Sequence, residues 1–167
     1  PGDKGFVSKQ GHPMTRGVAD LVMMFRHPEK KGAGKKCDKL LYNVDLTSTL
    51  MACAGIAPER KMDGINFLPA LESKAGTREY VSLAWGTLMT VIDEQYWYNA
   101  SIWGEEPLLY EYKKDRNLTK NIAAKKPDIC KKMAARAVAD AGGSIPEYFK
   151  VMLSRPGCTP MLSKDVK

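Results

Sequence analysis

Apolar positions along the chain change rhythm several times. Leu21-Val22-Met23-Met24-Phe25 is a nearly unbroken run between Asp20 and Arg26, and it stops at His27-Pro28. A run that short, closed by proline, predicts a buried strand rather than a helix. From Asp45 the rhythm becomes helical. Leu46, Leu50, Cys53 and Ala54 share one face, Asp45 or Thr47 serves as N-cap, and Gly55 is the C′ residue. Phe67–Leu71 predicts a short helical turn.

Strand-like segments follow at Tyr80–Trp85, Leu88–Asp93, Tyr96–Trp103 and Leu108–Tyr112. The connections between them are too short for parallel crossovers, so they predict an antiparallel sheet. Pro127 and Asp128 then open a helix whose stripe is Ile129, Cys130, Met133, Ala134, Ala137, Val138 and Ala141. Gly142-Gly143 stops it. Beyond lies a small apolar cluster, Ile145, Tyr148, Phe149, Met152 and Leu153, before a polar tail.

Composition narrows the class. The 167 residues are 44% hydrophobic and 27% charged, a globular balance. No stretch approaches the ~20 apolar residues of a membrane span, and no membrane partner is expected. The formal net charge is +7. Its lysine pairs, such as Lys35-Lys36 and Lys125-Lys126, are scattered and mostly lack interleaved aromatics, so they read as solvated surface and no nucleic-acid partner is expected. Cys37, Cys53, Cys130 and Cys158 form no CxxC pair, which disfavours zinc. Two disulfides are possible, though for Cys53 and Cys130, on apolar helix faces, a buried free thiol is the expectation. Asn99-Ala100-Ser101 and Asn117-Leu118-Thr119 are sequons. The chain opens Pro1-Gly2-Asp3-Lys4 with neither initiator Met nor secretory signal, so it is expected to begin within a longer protein.

Four stretches, in this order, resemble the closing portion of the sulfatases of the alkaline-phosphatase superfamily. Gly2-Asp3-Lys4-Gly5-Phe6-Val7-Ser8-Lys9 resembles that family's glycine-flanked loop ending in lysine. Val44–Leu50, continuing to Ala54-Gly55-Ile56, is similar to its "VDxxPTLLxxAGI" helix. Asp63–Leu71 resembles "DGxSLLPLL", and Leu109–Asn117 with Asn121-Ile122-Ala123 resembles "LYDLxxDPxExxNLA". Ser48 and Arg116 stand where the family commonly has proline, and Asp20 where an arginine often precedes the strand.

The resemblance implies an α/β fold with an α+β C-terminal subdomain. Residues 1–76 would be the end of the large α/β domain, and 77–167 the small subdomain, a four-stranded antiparallel sheet packed by a helix. It also implies a formylglycine nucleophile and a calcium ion in the parent enzyme, and neither is assigned to this chain. No cysteine here lies in the Cys/Ser-x-Pro-x-Arg motif, and the family's last metal pair falls just before Pro1. Lys9 aligns with the lysine that contacts the sulfate. His12 is positioned to protonate a leaving group or bind the sulfated ring, and Trp103 and Trp97 are candidates for stacking on sugar or aryl groups. The expected partners are a sulfate-ester substrate and either the missing N-terminal sulfatase half or a second copy of the chain. The compartment implied is periplasmic or secreted. Two other readings stay open: a phosphonate monoester hydrolase or phosphodiesterase of the same superfamily, and a non-enzymatic basic module for nucleic acid or acidic glycan.

Overall fold

The computed structural model describes residues 14–71 and 77–148. They fall into two compact units. Leu21–Val81 forms one; the residues before Leu21 group with those from Ser82 onward in the other.

The sheet comprises β1 (Tyr80–Trp85), β2 (Leu88–Asp93), β3 (Trp97–Ser101) and β4 (Leu108–Tyr110), side by side in chain order. The antiparallel arrangement expected from the short connections is present, with Leu88 opposite Ser101 and Trp97 opposite both Ile92 and Tyr110. The third and fourth strands are shorter than their apolar runs, because the chain turns at Ile102 and again at Tyr112. Between β2 and β3 the Asp93 carboxylate accepts hydrogen bonds from the Gln95 and Tyr96 amides, each 2.8 Å. Its other oxygen accepts from Arg136 Nη1 at 2.7 Å, which ties the hairpin to the helix.

Three α-helices are described: α1 (Arg16–Ala19), α2 (Val44–Cys53) and α3 (Pro127–Asp140). The third begins at Pro127, as its sequence predicts, and ends before Gly142 and Gly143, both in the left-handed region at φ 91° and 90°. It packs on β2 and β3. Its expected stripe narrows to two buried residues, Cys130 and Met133, while Ala141 is exposed. Val91, Trp97, Leu109 and Met133 are wholly enclosed and form the core. Each such side chain contributes on the order of 1.5–3 kcal/mol by leaving water. Both faces of β3 are buried, including its alternating polar residues Asn99 and Ser101.

Two expectations fail in the other unit. Residues 21–26 are extended but form no strand, and Leu21, Val22 and Met24 are exposed by 67%, 87% and 88%. A strand needs a hydrogen-bonding neighbour, and among the described residues this segment has none. In α2 the supposed apolar face lies outward: Leu50 is 51% exposed, and Cys53 and Ala54 are exposed too. The buried positions are Asp45 and Thr49. The polar pair faces inward because loop amides come to it for partners. The N-cap is Asn43, whose side chain accepts from the Val44 amide, rather than Asp45 or Thr47. The C-terminus ends as expected at Gly55, φ 67°, with the Ile56 amide donating to Met51 and the Gly55 amide to Ala52. Leu68–Leu71 is a 3₁₀ turn, in agreement with the short helical turn expected there.

Gly64 shows why a glycine follows Asp63. A Cβ there would sit 2.4 Å from the Val44 carbonyl oxygen and 2.6 Å from Ser48 Oγ. The obstacle is helix backbone, which cannot swing aside. Gly64→Ala should therefore destabilise this unit by about 1–3 kcal/mol. Urea melts followed by circular dichroism measure this, and an unchanged midpoint would contradict the close approach.

Candidate functional site

Asp45 is the best-connected polar residue in its unit. It is fully buried. Oδ1 accepts from the Ile65 amide at 2.8 Å and from Arg78 Nη2 at 2.6 Å. Oδ2 accepts from the Tyr42 amide at 2.7 Å and from Arg78 Nε at 3.2 Å. Burial by itself would raise the Asp45 pKa. The Arg78 guanidinium and the Ile65 and Tyr42 amides outweigh it and hold the carboxyl below the usual carboxylate range. Arg78 also donates to the Asp63 carbonyl at 2.8 Å and lies 4.7 Å from the centre of the Tyr42 ring. One turn along α2, Thr49 Oγ1 donates to the Asp45 carbonyl and accepts from the Phe67 amide. Residues i and i+4 of the helix thus hold amides i and i+2 of the loop. Two of the motif stretches meet here, and the role is to fix the loop, not to carry chemistry.

Lys9 and His12 lie outside the described residues. Trp103 lies in the turn after β3 and is 44% exposed. Ser101 Oγ accepts from the Trp103 and Glu105 amides at 3.3 and 3.1 Å. The Ile102 amide donates to the Thr87 carbonyl at 2.9 Å, joining this turn to the one after β1. Trp85, 53% exposed, ends β1 at the same end of the sheet. Its place at the end of a strand-like run gives no sign of this exposure in the sequence. An exposed indole offers an apolar face suited to a flat ring.

Trp97 is not available for stacking on a ligand. It is fully enclosed and its ring meets that of Tyr112 at 6.1 Å. His27 is structural, 8% exposed, with Nδ1 accepting from the Glu29 amide. Asn99 is 1% exposed and its Oδ1 accepts from Thr90 Oγ1 at 2.6 Å, so the first sequon is shut inside the sheet. Asn117, in the second, is exposed. Cys37, Cys53 and Cys130 are free thiols; Cys130 is buried, whereas Cys53 is exposed, contrary to expectation. Burial raises the Cys130 thiol and pushes the Tyr98 hydroxyl up to about 12, so both stay protonated near neutrality. Among the described residues no three His, Cys, Asp or Glu side chains group so as to hold a metal ion.

Part of the chain shares its fold with solved enzymes. Over 64% of its length the chain superposes on a 2-O GAG sulfatase, with a TM-score of 0.54 and 27% identity. The chain has the fold of the C-terminal part of a sulfatase of the alkaline-phosphatase superfamily. A phosphonate monoester hydrolase of Agrobacterium radiobacter shares it over 71% of the chain, with a TM-score of 0.54 and 22% identity. This sulfatase-like chain spans 26% of the first enzyme and 28% of the second. No family model and no curated protein matches it.

Proposed function

We propose that this chain is the C-terminal region of a sulfuric ester hydrolase, in which it shapes the substrate pocket and supplies a sulfate-contacting lysine. The fold and identity shared with the 2-O GAG sulfatase carry this reading. Lys9 is the lysine. Charge grows on the sulfate and bridging oxygens as the S–O bond breaks, and a fixed ammonium lowers the energy of that state. His12 stands three residues on, placed to serve the leaving group. Trp103 is the stacking surface for the alcohol portion of the substrate. Formylglycine and the calcium ligands are assigned to residues outside this chain. Residues 1–76 belong to the large domain and 77–167 to the small one. The rest of the sulfatase fold covers Leu21, Val22 and Met24, whose exposure leaves an apolar edge without a partner among the described residues. The compartment is periplasmic or secreted, and no described helix is long and apolar enough to cross a membrane.

Phosphonate monoester hydrolysis is the second reading, favoured by the equal fold likeness to the Agrobacterium enzyme. An activity panel on the chain joined to its upstream coding sequence separates the two. Faster turnover of an aryl sulfate than of an aryl phosphonate monoester is expected. The reverse preference would transfer the assignment to the phosphonate hydrolases, and turnover of neither would dismiss both.

A further inference from the structure

The Leu21–Val81 unit contains a cavity of about 490 Å³ lined by both apolar and basic residues. Phe25, Phe67 and Leu71 are among its lining residues, and the two rings meet edge to face at 5.6 Å. Lys31, Lys35 and Lys36 also line it, and among the described residues no carboxylate does. The lysines are held there by a tightly wound loop. Its successive turns join Lys30 to His27, Ala33 to Lys30 and Lys35 to Gly32. Lys30, Gly32 and Gly34 all take positive φ, which for Lys30 is uncommon in a side-chain-bearing residue. A Cβ on Gly32 would come within 3.0 Å of Leu71 Cδ1, so the loop backbone rests directly on Leu71. Lys31 pairs with Glu29 at 3.1 Å, and Glu29 is itself outside the cavity lining. Cys37, an exposed free cysteine, lines the same space.

We infer that this cavity binds a small organic anion with a flat apolar body, the ring against Phe25 and the charge against Lys35 and Lys36. The inference uses neither Lys9 nor Trp103, and it concerns the 167-residue chain by itself, because Met24, which the proposed function places under the rest of the fold, also lines the cavity. Charge complementarity selects the ligand class: ammonium groups favour an anion, and an aromatic lining favours a ring over a bare inorganic ion. Screening by solvent at so open a site limits affinity, so binding in the micromolar to millimolar range fits.

Cys37 provides the readout, and the exposed Cys53, which is not in the cavity lining, provides the internal control. The 167-residue chain is alkylated with iodoacetamide while a naphthalenesulfonate is titrated in, and peptide mass mapping gives the rate at each cysteine. The sulfonate should slow Cys37 and leave Cys53 unchanged, with inorganic sulfate and uncharged naphthalenemethanol much weaker. Lys35→Gln with Lys36→Gln should raise the concentration needed for protection about tenfold. Lys35→Arg with Lys36→Arg should keep protection near the parent value, showing that charge rather than lysine itself is read. Equal slowing of both cysteines, equal protection by the uncharged ring or by inorganic sulfate, no protection at all, or protection indifferent to the Gln pair would each overturn the inference.

Discussion

Asp45→Ala should cost the Leu21–Val81 unit about 3–5 kcal/mol, the scale seen when one partner of a buried ion pair is removed. That is a large part of the stability of an ordinary domain. The reason is what remains behind. Arg78, with only 21% of its side chain exposed, keeps its charge but loses the carboxylate that faced two of its nitrogens. The Ile65 and Tyr42 amides lose their acceptor at the same time. Amide hydrogen exchange is the direct measurement, with Ile65 and Phe67 expected to exchange much faster in the variant. Protection at parent levels would show that the loop is held by something else. The sign of the pH effect follows from the lowered carboxyl pKa in the folded chain. The unfolded state then takes up a proton at a higher pH than the folded one, so the stabilisation is present above the unfolded value and is lost as pH falls through the folded one. Asp45→Asn should remove this acid-side loss while also lowering stability at neutral pH.

The second large effect concerns catalysis. In the enzyme formed with the rest of the fold, Lys9→Ala should lower kcat/KM on a sulfate ester by roughly two orders of magnitude, as expected for one lost electrostatic contact in a transition state. Steady-state kinetics test it, together with a thermal melt to show that folding is intact. An unchanged kcat/KM would remove Lys9 from the pocket. The 167-residue chain by itself should show no turnover, and aryl sulfate hydrolysis abolished by Lys9→Ala in that chain would refute this.

What the sequence revealed and what it hid follow one physical division. Elements that bury against near neighbours were readable: the four strands with short connections, the helix opened by Pro127, the Gly55 terminus. Elements whose partners are distant were not. Leu21–Phe25 has the composition of a strand, but composition names no neighbour, and the backbone stays unpaired among the described residues. The apolar spacing of Leu46, Leu50 and Cys53 pointed to the wrong face of α2, because Asp45 and Thr49 are drawn inward by amides some twenty residues ahead and by Arg78. Nothing in periodicity marks Arg78, a single cation between a loop and a strand. Of the proposed site residues, Trp103 alone lies among those described, and its exposure suits a stacking role. Lys35 and Lys36 were read as solvated surface, since a cavity assembled from separate loops leaves no local pattern.

The distribution of tryptophan decides how such experiments will look. All three indoles belong to the unit that starts at Ser82, one sealed in the sheet and two facing water. Intrinsic fluorescence therefore reports on that unit, with a blue-shifted emitter shielded from acrylamide and two red-shifted emitters open to it. The Asp45–Arg78 region has only tyrosine for a chromophore and stays dark in the same trace. An indole-detected melt and a far-ultraviolet dichroism melt that coincide would mean the two units unfold together. Separated midpoints would mean that each has a stability of its own.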